Sequence, residues 1–153
     1  MEAQELVERY GDMVWRLALA RTGRRQDAED LFQEVFLRGV KYAHTLESPE
    51  HAKAWLLRCT IHRSNSLWSD LLRRPTVSLE EETAAAMDEA AAQVYAAVMA
   101  LRKPYRTAIH LHYYEGLSVA EIARLSGRAE GTVKSWLHRG RTMLKGALED
   151  EVS

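Results

Sequence analysis

Residues 117–141 have the pattern of two helices joined by a tight turn, and no other feature constrains the fold as strongly. Ser118 followed three residues later by Glu121 forms a capping box, and Leu117 stands where a hydrophobic staple would. Gly127 tolerates the left-handed conformation in which a helix ends. The sequence therefore predicts a helix-turn-helix whose second helix begins near Glu130.

The second of these helices is predicted to have one packing face and one polar, basic face. Apolar or small residues recur at three- and four-residue steps and form the packing stripe, which comprises Val133, Leu137, Gly140, Leu144 and Ala147. The outward face carries donors and cations, namely Lys134, Ser135, His138, Arg139 and Thr142, flanked by Arg128, Arg141 and Lys145. In a major groove such a face offers forked donors to guanine edges and cations to phosphates. We therefore expect DNA binding, with a merely solvated helix face as the alternative.

Charge is segregated along the chain, although the whole carries a net charge of only -1. Residues 51–75 hold five basic side chains against one acidic, whereas residues 76–100 hold no basic side chain and five acidic ones. Residues 101–153 are again basic in excess, nine against six. This order suits two nucleic-acid contacts joined by an acidic connector, although charge runs also occur without function.

The remainder of the chain also has helical patterns. The 153 residues suit one domain or two small ones, only three prolines occur, and no strand-like alternation is sustained. Further helices are predicted from about residue 6 to Gly23, and over residues 25–42, 51–73, 84–101 and 104–114; residues 43–50 form a loop, and Ser48 or Pro49 can open the next helix. We predict an all-α protein of two small domains, a three-helix domain over residues 1–74 and a helix-turn-helix domain over residues 89–149, joined by a short acidic linker over residues 75–88.

Two surfaces of the N-terminal helices are candidates for binding. Asp27, Asp30 and Glu34 are predicted to share the face of the second helix opposite its apolar residues, although such a stripe is more often plain solvated surface. The third helix interleaves basic and aromatic residues, as do surfaces that hold single-stranded nucleic acid by stacking and phosphate contact. Trp55 in that helix fits the core better than the surface.

Other function classes find little support in the sequence. No nucleophile–base pair, phosphate-binding glycine loop or metal-ligand spacing is present, so we expect no enzyme, cofactor or metal site. His110 and His112 are two apart on a helix and make a poor metal pair, and Tyr113 and Tyr114 are expected to pack in the core and at the helix end. The single cysteine, Cys59, cannot form an internal disulfide, and we predict that it is a small, buried hydrophobic residue. No apolar run suits a signal peptide or membrane span, which favours a cytoplasmic protein.

In the order and spacing of its motifs the chain resembles the extracytoplasmic-function sigma factors of the sigma-70 family. Residues 27–37 (DAEDLFQEVFL) resemble the family's region-two helix that binds the clamp of the largest polymerase subunit, and residues 54–58 (AWLLR) the start of its promoter-melting helix. Residues 100–106, 113–123 (YYEGLSVAEIA) and 131–135 (GTVKS) are similar to region four. The resemblance covers nearly the whole chain and implies an RNA polymerase subunit that directs transcription initiation.

The resemblance also implies a role for each candidate surface. The implied polymerase contacts are Asp27, Asp30, Gln33 and Glu34, with Phe36 in support. The implied residues for recognition and melting of the minus-10 element are His44, Thr45, Trp55, Arg58, His62, Arg63, Arg73 and Arg74. The implied residues for minus-35 readout are Arg128, Thr132, Lys134, Ser135, His138, Arg139 and Arg141. Three residues depart from the family pattern, namely Trp136, where arginine is usual, His62, where asparagine is common, and Ser66, where aspartate is common.

The implied partners are promoter DNA, core RNA polymerase and an anti-sigma factor. Core polymerase would be held through the clamp of its largest subunit and the flap of its second-largest. Because two modest DNA contacts on one scaffold raise each other's effective concentration, we expect the free chain to bind promoter DNA weakly.

Two alternative functions predict different properties for this chain. A stand-alone regulator would use the helix-turn-helix as a dimer on a palindromic operator and the N-terminal helices for dimerisation, but it has no reason to carry the residue 27–37 motif. A helical adaptor would bind a protein partner and no DNA, so changes on the basic face would leave its function intact.

Overall fold

Gly23 ends the first of three helices that pack together in the N-terminal half of the chain. In the computed structural model, which describes residues 2–71 and 89–152 and the side chains of residues 2–65 and 89–149, these are α1 (Ala3–Thr22), α2 (Arg25–Tyr42) and α3 (Pro49–Leu71). Gly23 takes the left-handed conformation, with φ 69°, and its N–H donates to the carbonyl of Leu19. The chain divides into two compact units, Met1–Thr76 and Val77–Ser153, and each is described by itself.

The connection between α2 and α3 is short and capped by side chains. A 3₁₀ turn over Ala43–Thr45 follows α2, and Pro49 occupies the first position of α3, where its missing N–H costs nothing. The N–H of His51 donates to Ser48 Oγ at 3.1 Å. The predicted loop and helix start are therefore confirmed, with α3 beginning two residues earlier than the sequence indicated.

The core of the first unit is apolar and contains one arginine that ties two helices together. Its fully buried side chains include Leu6, Val14, Leu17, Leu31, Val35 and Leu56. Arg21, at the end of α1, is 3% exposed; its Nε donates to Ser64 Oγ at 2.8 Å and its Nη2 to Asn65 Oδ1 at 2.7 Å. These hydrogen bonds satisfy a charge that would otherwise be costly to bury, and they fix α3 against α1 at the level of the predicted melting residues.

The second unit contains α4 (Glu89–Met99), α5 (Lys103–Ile109), α6 (Val119–Ser126) and α7 (Glu130–Val152). A π-helical turn, His110–Tyr114, extends α5. Within the described residues every regular element is helical, so the predicted all-α fold is confirmed. The predicted acidic linker, residues 75–88, lies outside the described residues.

The helix-turn-helix forms as its local sequence signals predict. Ser118 Oγ accepts from the N–H of Glu121 at 3.1 Å, and Glu121 Oε1 accepts from the N–H of Ser118 at 3.2 Å, which completes the capping box. Leu117 is 2% exposed, and Gly127 ends α6 with φ 67°. Both ends of α6 therefore follow from the residues at them, the start from the capping side chains and the end from a glycine that has no Cβ.

The packing stripe of α7 is shorter than predicted. Val133 and Leu137 are buried, and Gly140 lets α5 approach closely, since a Cβ there would lie 2.9 Å from Ile109 Cγ1. Leu144 is only half-buried and Ala147 is exposed, which corrects the expected stripe. The fully buried part of the stripe therefore ends at Gly140.

The tyrosine pair after α5 is exposed, so its predicted packing in the core is wrong. Tyr113 is 54% exposed and Tyr114 is 62% exposed. The buried residues of the π-helical turn are instead His110 and Leu111. The wider turn changes the phase of the helix, and both tyrosines consequently lie at the surface.

Candidate nucleic-acid and polymerase interfaces

The outward face of α7 forms a continuous polar and basic surface. Lys134, His138 and Arg141 are exposed and follow one another at four- and three-residue steps, so they lie along one side of the helix. Ser135 and Thr132 are half-buried, and Arg128 is exposed in the turn before α7. Thr132 and Ser135 are three residues apart and share a neighbouring side of α7, so the first half of the helix presents different donors across its polar face, as a helix that enters a major groove requires.

Arg139 lies on a different side of α7 from this strip and has a partner in its own unit. Its Nη1 donates to Tyr105 Oη at 3.5 Å, and Tyr105 itself is 7% exposed. This hydrogen bond is the main reason that the pKa of Tyr105 lies below its usual value. The Arg139 guanidinium is therefore held against α5, on the side of α7 that faces Tyr105.

Arg141 is also held by a tyrosine. Its Nη1 donates to Tyr113 Oη at 3.1 Å. The two residues are 28 positions apart, and the sequence analysis assigned no role to Tyr113 beyond packing. No sequence signal links them, because their approach depends on how α7 crosses α5 and the π-helical turn.

The predicted minus-10 residues lie on the 3₁₀ turn and on α3. His44 and Thr45 are exposed in the turn, where Thr45 Oγ1 donates to the carbonyl of Tyr42 at 2.7 Å. Arg58 and His62 are exposed on α3 at i and i+4, and therefore share one side of the helix.

Three other residues, Trp55, Arg73 and Arg74, were predicted to contact the minus-10 element. Trp55 is half-buried, with its ring 6.1 Å from that of Tyr42, so it lies at the edge of the core rather than within it. Arg73 and Arg74 lie outside the described residues, and the side chain of Ser66 does too.

Arg63 contacts the acidic surface of α2. It forms a salt bridge with Glu34 through Nη2, and Arg38 Nε lies 3.7 Å from the same carboxylate oxygen. The side chains of Arg63 and Glu34 are 29% and 34% exposed. Residues assigned to two different sites, polymerase binding and promoter melting, are thus bonded to each other.

The face of α2 that was predicted to bind polymerase is only partly exposed as expected. Asp30 and Gln33 are exposed, but Asp27 is 4% exposed and Phe36 is 6% exposed. Asp27 precedes the buried Leu31 by four residues and therefore lies on the buried side of the helix, which corrects the expectation that it belongs to the exposed acidic stripe.

A large apolar side chain on α2 is exposed beside these polar residues. Leu37 is 73% exposed and Val40, three residues later, is 47% exposed. Leu37 belongs to the residue 27–37 motif, but no role was predicted for it. The neighbouring Phe36 is buried, so the two consecutive apolar residues lie on different sides of α2.

Metal-ligating side chains do not cluster among the described residues. No group of three or more His, Cys, Asp or Glu side chains among them could hold a metal ion. His112 Nδ1 lies 2.8 Å from the carbonyl of Leu117, and His110 is 7% exposed and stacks on Tyr114. Both histidines therefore have structural contacts of the kind predicted. In the part of the chain that is described, no helix has the length and apolarity to cross a bilayer.

Fold and surface together define a two-unit helical protein with a capped helix-turn-helix and a basic recognition face. Two family models match the sequence: Sigma-70 region 2 over residues 6–74 and Sigma-70, region 4 over residues 91–144. The chain is 34% identical over 156 residues to the ECF RNA polymerase sigma factor SigE of Mycolicibacterium smegmatis, covering 94% of this chain and 60% of that protein. It is 32% identical over 157 residues to the ECF RNA polymerase sigma factor SigL of Mycobacterium tuberculosis, covering 95% of this chain and 88% of that protein.

The chain belongs to the ECF sigma factors of the sigma-70 family. It is therefore a transcription initiation factor rather than an enzyme, and the resemblance drawn from its motifs is confirmed. The match of residues 6–74 to region 2 also argues against the dimeric regulator, which would use these helices for dimerisation.

Solved structures show the same fold. One is the sigma factor RpoE in complex with the anti-sigma factor NepR from Bartonella quintana, with a TM-score of 0.77, 21% identity, and coverage of 95% of this chain and 96% of that chain. Another is CnrH in complex with the cytosolic domain of CnrY, with a TM-score of 0.72, 23% identity, and coverage of 97% and 88%.

Proposed function

We propose that this chain binds core RNA polymerase and directs it to promoters with two spaced elements. The second unit reads the minus-35 element, and the first unit recognises and opens the minus-10 element. The observation that carries this proposal is the capped helix-turn-helix with its exposed basic strip, in a chain whose sequence matches both sigma regions.

Minus-35 readout is assigned to the first half of α7. In helix-turn-helix proteins the N-terminal residues of the second helix contact base edges. Lys134, Ser135 and His138 lie there and face outward or partly outward, with Thr132 and Arg128 at the edge. Arg139 was predicted to read bases as well, but its hydrogen bond to Tyr105 favours a backbone contact at the side of the groove.

Single-residue changes separate base readout from phosphate contact. His138→Ala should cost about 1–3 kcal/mol at one base position and relax the preference there. Lys145→Ala, on the exposed C-terminal half of α7, is the matched control and should weaken binding about equally for every sequence. The measurement is the affinity of holoenzyme for a promoter and its single-base minus-35 variants. A uniform loss for His138→Ala would assign this residue to phosphate.

Minus-10 recognition is assigned to the 3₁₀ turn and the neighbouring side of α3. His44 and Thr45 are exposed and are assigned to hold a base removed from the stack, while the exposed Arg58 and His62 are assigned to phosphate contact. Extruding a base costs a few kcal/mol, which stacking and hydrogen bonds in the site offset. Arg73 and Arg74, outside the described residues, remain predicted contributors.

Permanganate reactivity of unpaired thymines tests this assignment. Thr45→Ala and His62→Ala should lower the fraction of open complexes while leaving the holoenzyme bound at the minus-35 element. Arg9→Ala, at the exposed surface of α1, serves as the control and should leave melting unchanged. Normal reactivity in both test variants would contradict the assignment.

Polymerase binding is assigned to the exposed side of α2, with Asp30, Gln33 and Glu34 around the exposed apolar Leu37. Isolated exposed leucines are common, but this one adjoins charged residues within the motif that suggested the contact. Asp27 and Phe36 then act from within, by holding α2 in place. The partner is the clamp of the largest polymerase subunit, and the second unit binds the flap of the second-largest.

The role in promoter recognition also leads us to assign an anti-sigma factor as a partner and the cytoplasm as the location. An anti-sigma factor covers the polymerase- and DNA-binding surfaces until a signal releases it, and the protein works in the cytoplasm, where polymerase and promoters are. The similar solved structures of RpoE with NepR and of CnrH with CnrY's cytosolic domain support the first of these points. The anti-sigma factor is tested by co-purification of an affinity-tagged chain from its own cells, with and without added polymerase. The anti-sigma factor should dissociate from the chain as polymerase binds.

A further inference from the structure

Tyr113 holds the guanidinium of Arg141 at the surface of the second unit. The hydrogen bond from Arg141 Nη1 to Tyr113 Oη is 3.1 Å long, and the tyrosine is 54% exposed. A guanidinium has five N–H donors in a fixed plane, so one bond to a hydroxyl orients the group and leaves other donors for an anion.

The tyrosine is itself held in place by the start of the helix-turn-helix. Its ring meets that of His112 edge to face, with centroids 4.9 Å apart. His112 Nδ1 lies 2.8 Å from the carbonyl of Leu117, and because a carbonyl only accepts, Nδ1 carries the proton of this hydrogen bond. Leu117 is 2% exposed, and its N–H donates to the carbonyl of Leu111 at 2.9 Å. Arg141 is therefore supported by a chain of contacts that ends in the core.

The place of Arg141 on α7 decides what it can contact. It follows His138 by three residues and Lys134 by seven, so it continues their strip toward the C-terminal half of the helix. Base edges are read by the N-terminal residues of such a helix, while donors further along lie beside the DNA backbone. A bidentate guanidinium contact is well suited to a phosphate.

We propose that Tyr113 is a positioning residue that holds the Arg141 side chain ready for a phosphate contact beside the minus-35 element. This inference rests on the proposed promoter-reading function and assigns a role to a residue outside the recognition helix. The benefit is entropic, because an arginine already ordered in the free protein loses less side-chain freedom on binding.

The test uses holoenzyme made from the full chain and core polymerase, and a promoter fragment recovered by run-off transcription from the chain's own genome. Tyr113→Phe keeps the ring on His112 and removes only the hydroxyl. Tyr114→Phe is the matched control, since Tyr114 is similarly exposed, at 62%, but stacks on His110 instead. Affinity is measured for both variants, for Arg141→Ala and for the Tyr113→Phe/Arg141→Ala double variant, across several salt concentrations.

Tyr113→Phe should weaken binding about threefold to tenfold on every minus-35 sequence alike, and Tyr114→Phe should leave it unchanged. Arg141→Ala should reduce the salt dependence by about one phosphate contact, and in that background the loss of the Tyr113 hydroxyl should have no further effect. Unchanged affinity for Tyr113→Phe, or an equal loss in the Arg141→Ala background, would overturn the inference. If wild-type holoenzyme binds no promoter fragment, the proposed function fails instead, so the two failures are distinguishable.

Discussion

The guanidinium of Arg63 on α3 forms a salt bridge with the carboxylate of Glu34 on α2, and this bond joins the face proposed for polymerase to the face proposed for the melted promoter. Arg38 lies 3.7 Å from the same carboxylate oxygen. Both members of the bridge are about one third exposed, so its contribution to folding is small, on the order of 0.2–1 kcal/mol. The bridge matters because Glu34 and Arg63 are already paired with each other before polymerase and DNA bind.

Replacement of Glu34 should affect binding more than stability. Glu34→Gln removes the charge at nearly constant shape, so we expect a change in unfolding free energy of about 1 kcal/mol or less but a several-fold loss of affinity for core polymerase. Fluorescence anisotropy with labelled chain gives the affinity, and urea unfolding gives the stability. Glu5→Gln is the matched control, because Glu5 pairs with Arg9 at 3.6 Å on the exposed surface of α1. An equal loss of polymerase affinity in both variants would contradict the assignment.

Loss of the capping box should destabilise the helix-turn-helix. Ser118→Ala removes the acceptor for the Glu121 N–H and is expected to cost about 0.5–2 kcal/mol. Ser126→Ala, in the last turn of α6, removes only a hydroxyl that donates back to the Ile122 carbonyl, and it should change stability by less than about 0.5 kcal/mol. Hydrogen exchange of amides in α6 and α7 reports on this unit directly. Equal protection in the two variants would mean that the cap contributes nothing.

A methyl group at Gly140 should disturb the packing of α7 on α5. The added Cβ would lie 2.9 Å from Ile109 Cγ1 and 3.2 Å from its Cδ1. Overpacking costs about 1–3 kcal/mol, which exceeds the helix-propensity gain of about 1 kcal/mol from glycine to alanine.

Gly146→Ala provides the opposite case for the same measurement, since no atom lies within 4 Å of a Cβ at that position. It should stabilise α7 by about 0.5–1 kcal/mol. Thermal unfolding of the two variants should therefore give shifts of opposite sign, and shifts of the same sign would show that Gly140 is not needed for the helix crossing.

The only cysteine of the chain should react slowly while the protein is folded. Burial raises the pKa of the Cys59 thiol above its usual value, and the nearby Arg38 and Arg63 lower it by less. The reactive thiolate is therefore scarce at pH 8, and alkylation by iodoacetamide should be much slower in the folded chain than in urea. The rate should rise as the pH is raised toward the pKa. Cys59 is half-buried rather than fully buried as the sequence predicted, and a folded-state rate equal to the unfolded one at pH 8 would contradict any protection of the thiol by the fold.

Local chemistry made some of the fold predictable. The residue range of α2, the capping box at Ser118 and the left-handed Gly127 are signalled by residues that are close together in the sequence, and the structure has all three. The family likewise followed from motifs that are short and contiguous, and the comparisons confirm it.

Features that depend on long-range packing were not predictable in the same way. Asp27 belongs to an acidic motif, yet it is buried because helix phase places it on the side of Leu31. The π-helical turn moved the two tyrosines to the surface, and the contact of Tyr113 with Arg141 joins residues 28 positions apart. Which of the predicted residues touch polymerase or DNA stays a prediction, because such contacts depend on how each unit docks on its partner.

Run-off transcription tests the central claim most directly. Purified bacterial core polymerase is supplied with this chain and a fragmented library of its own genome, and the transcript starts are sequenced, with core polymerase alone as the control. We expect added starts that share two spaced upstream motifs, and loss of the upstream preference when His138 and Lys134 are replaced by alanine. No added starts, together with tight binding of the free chain to a palindrome, would contradict it.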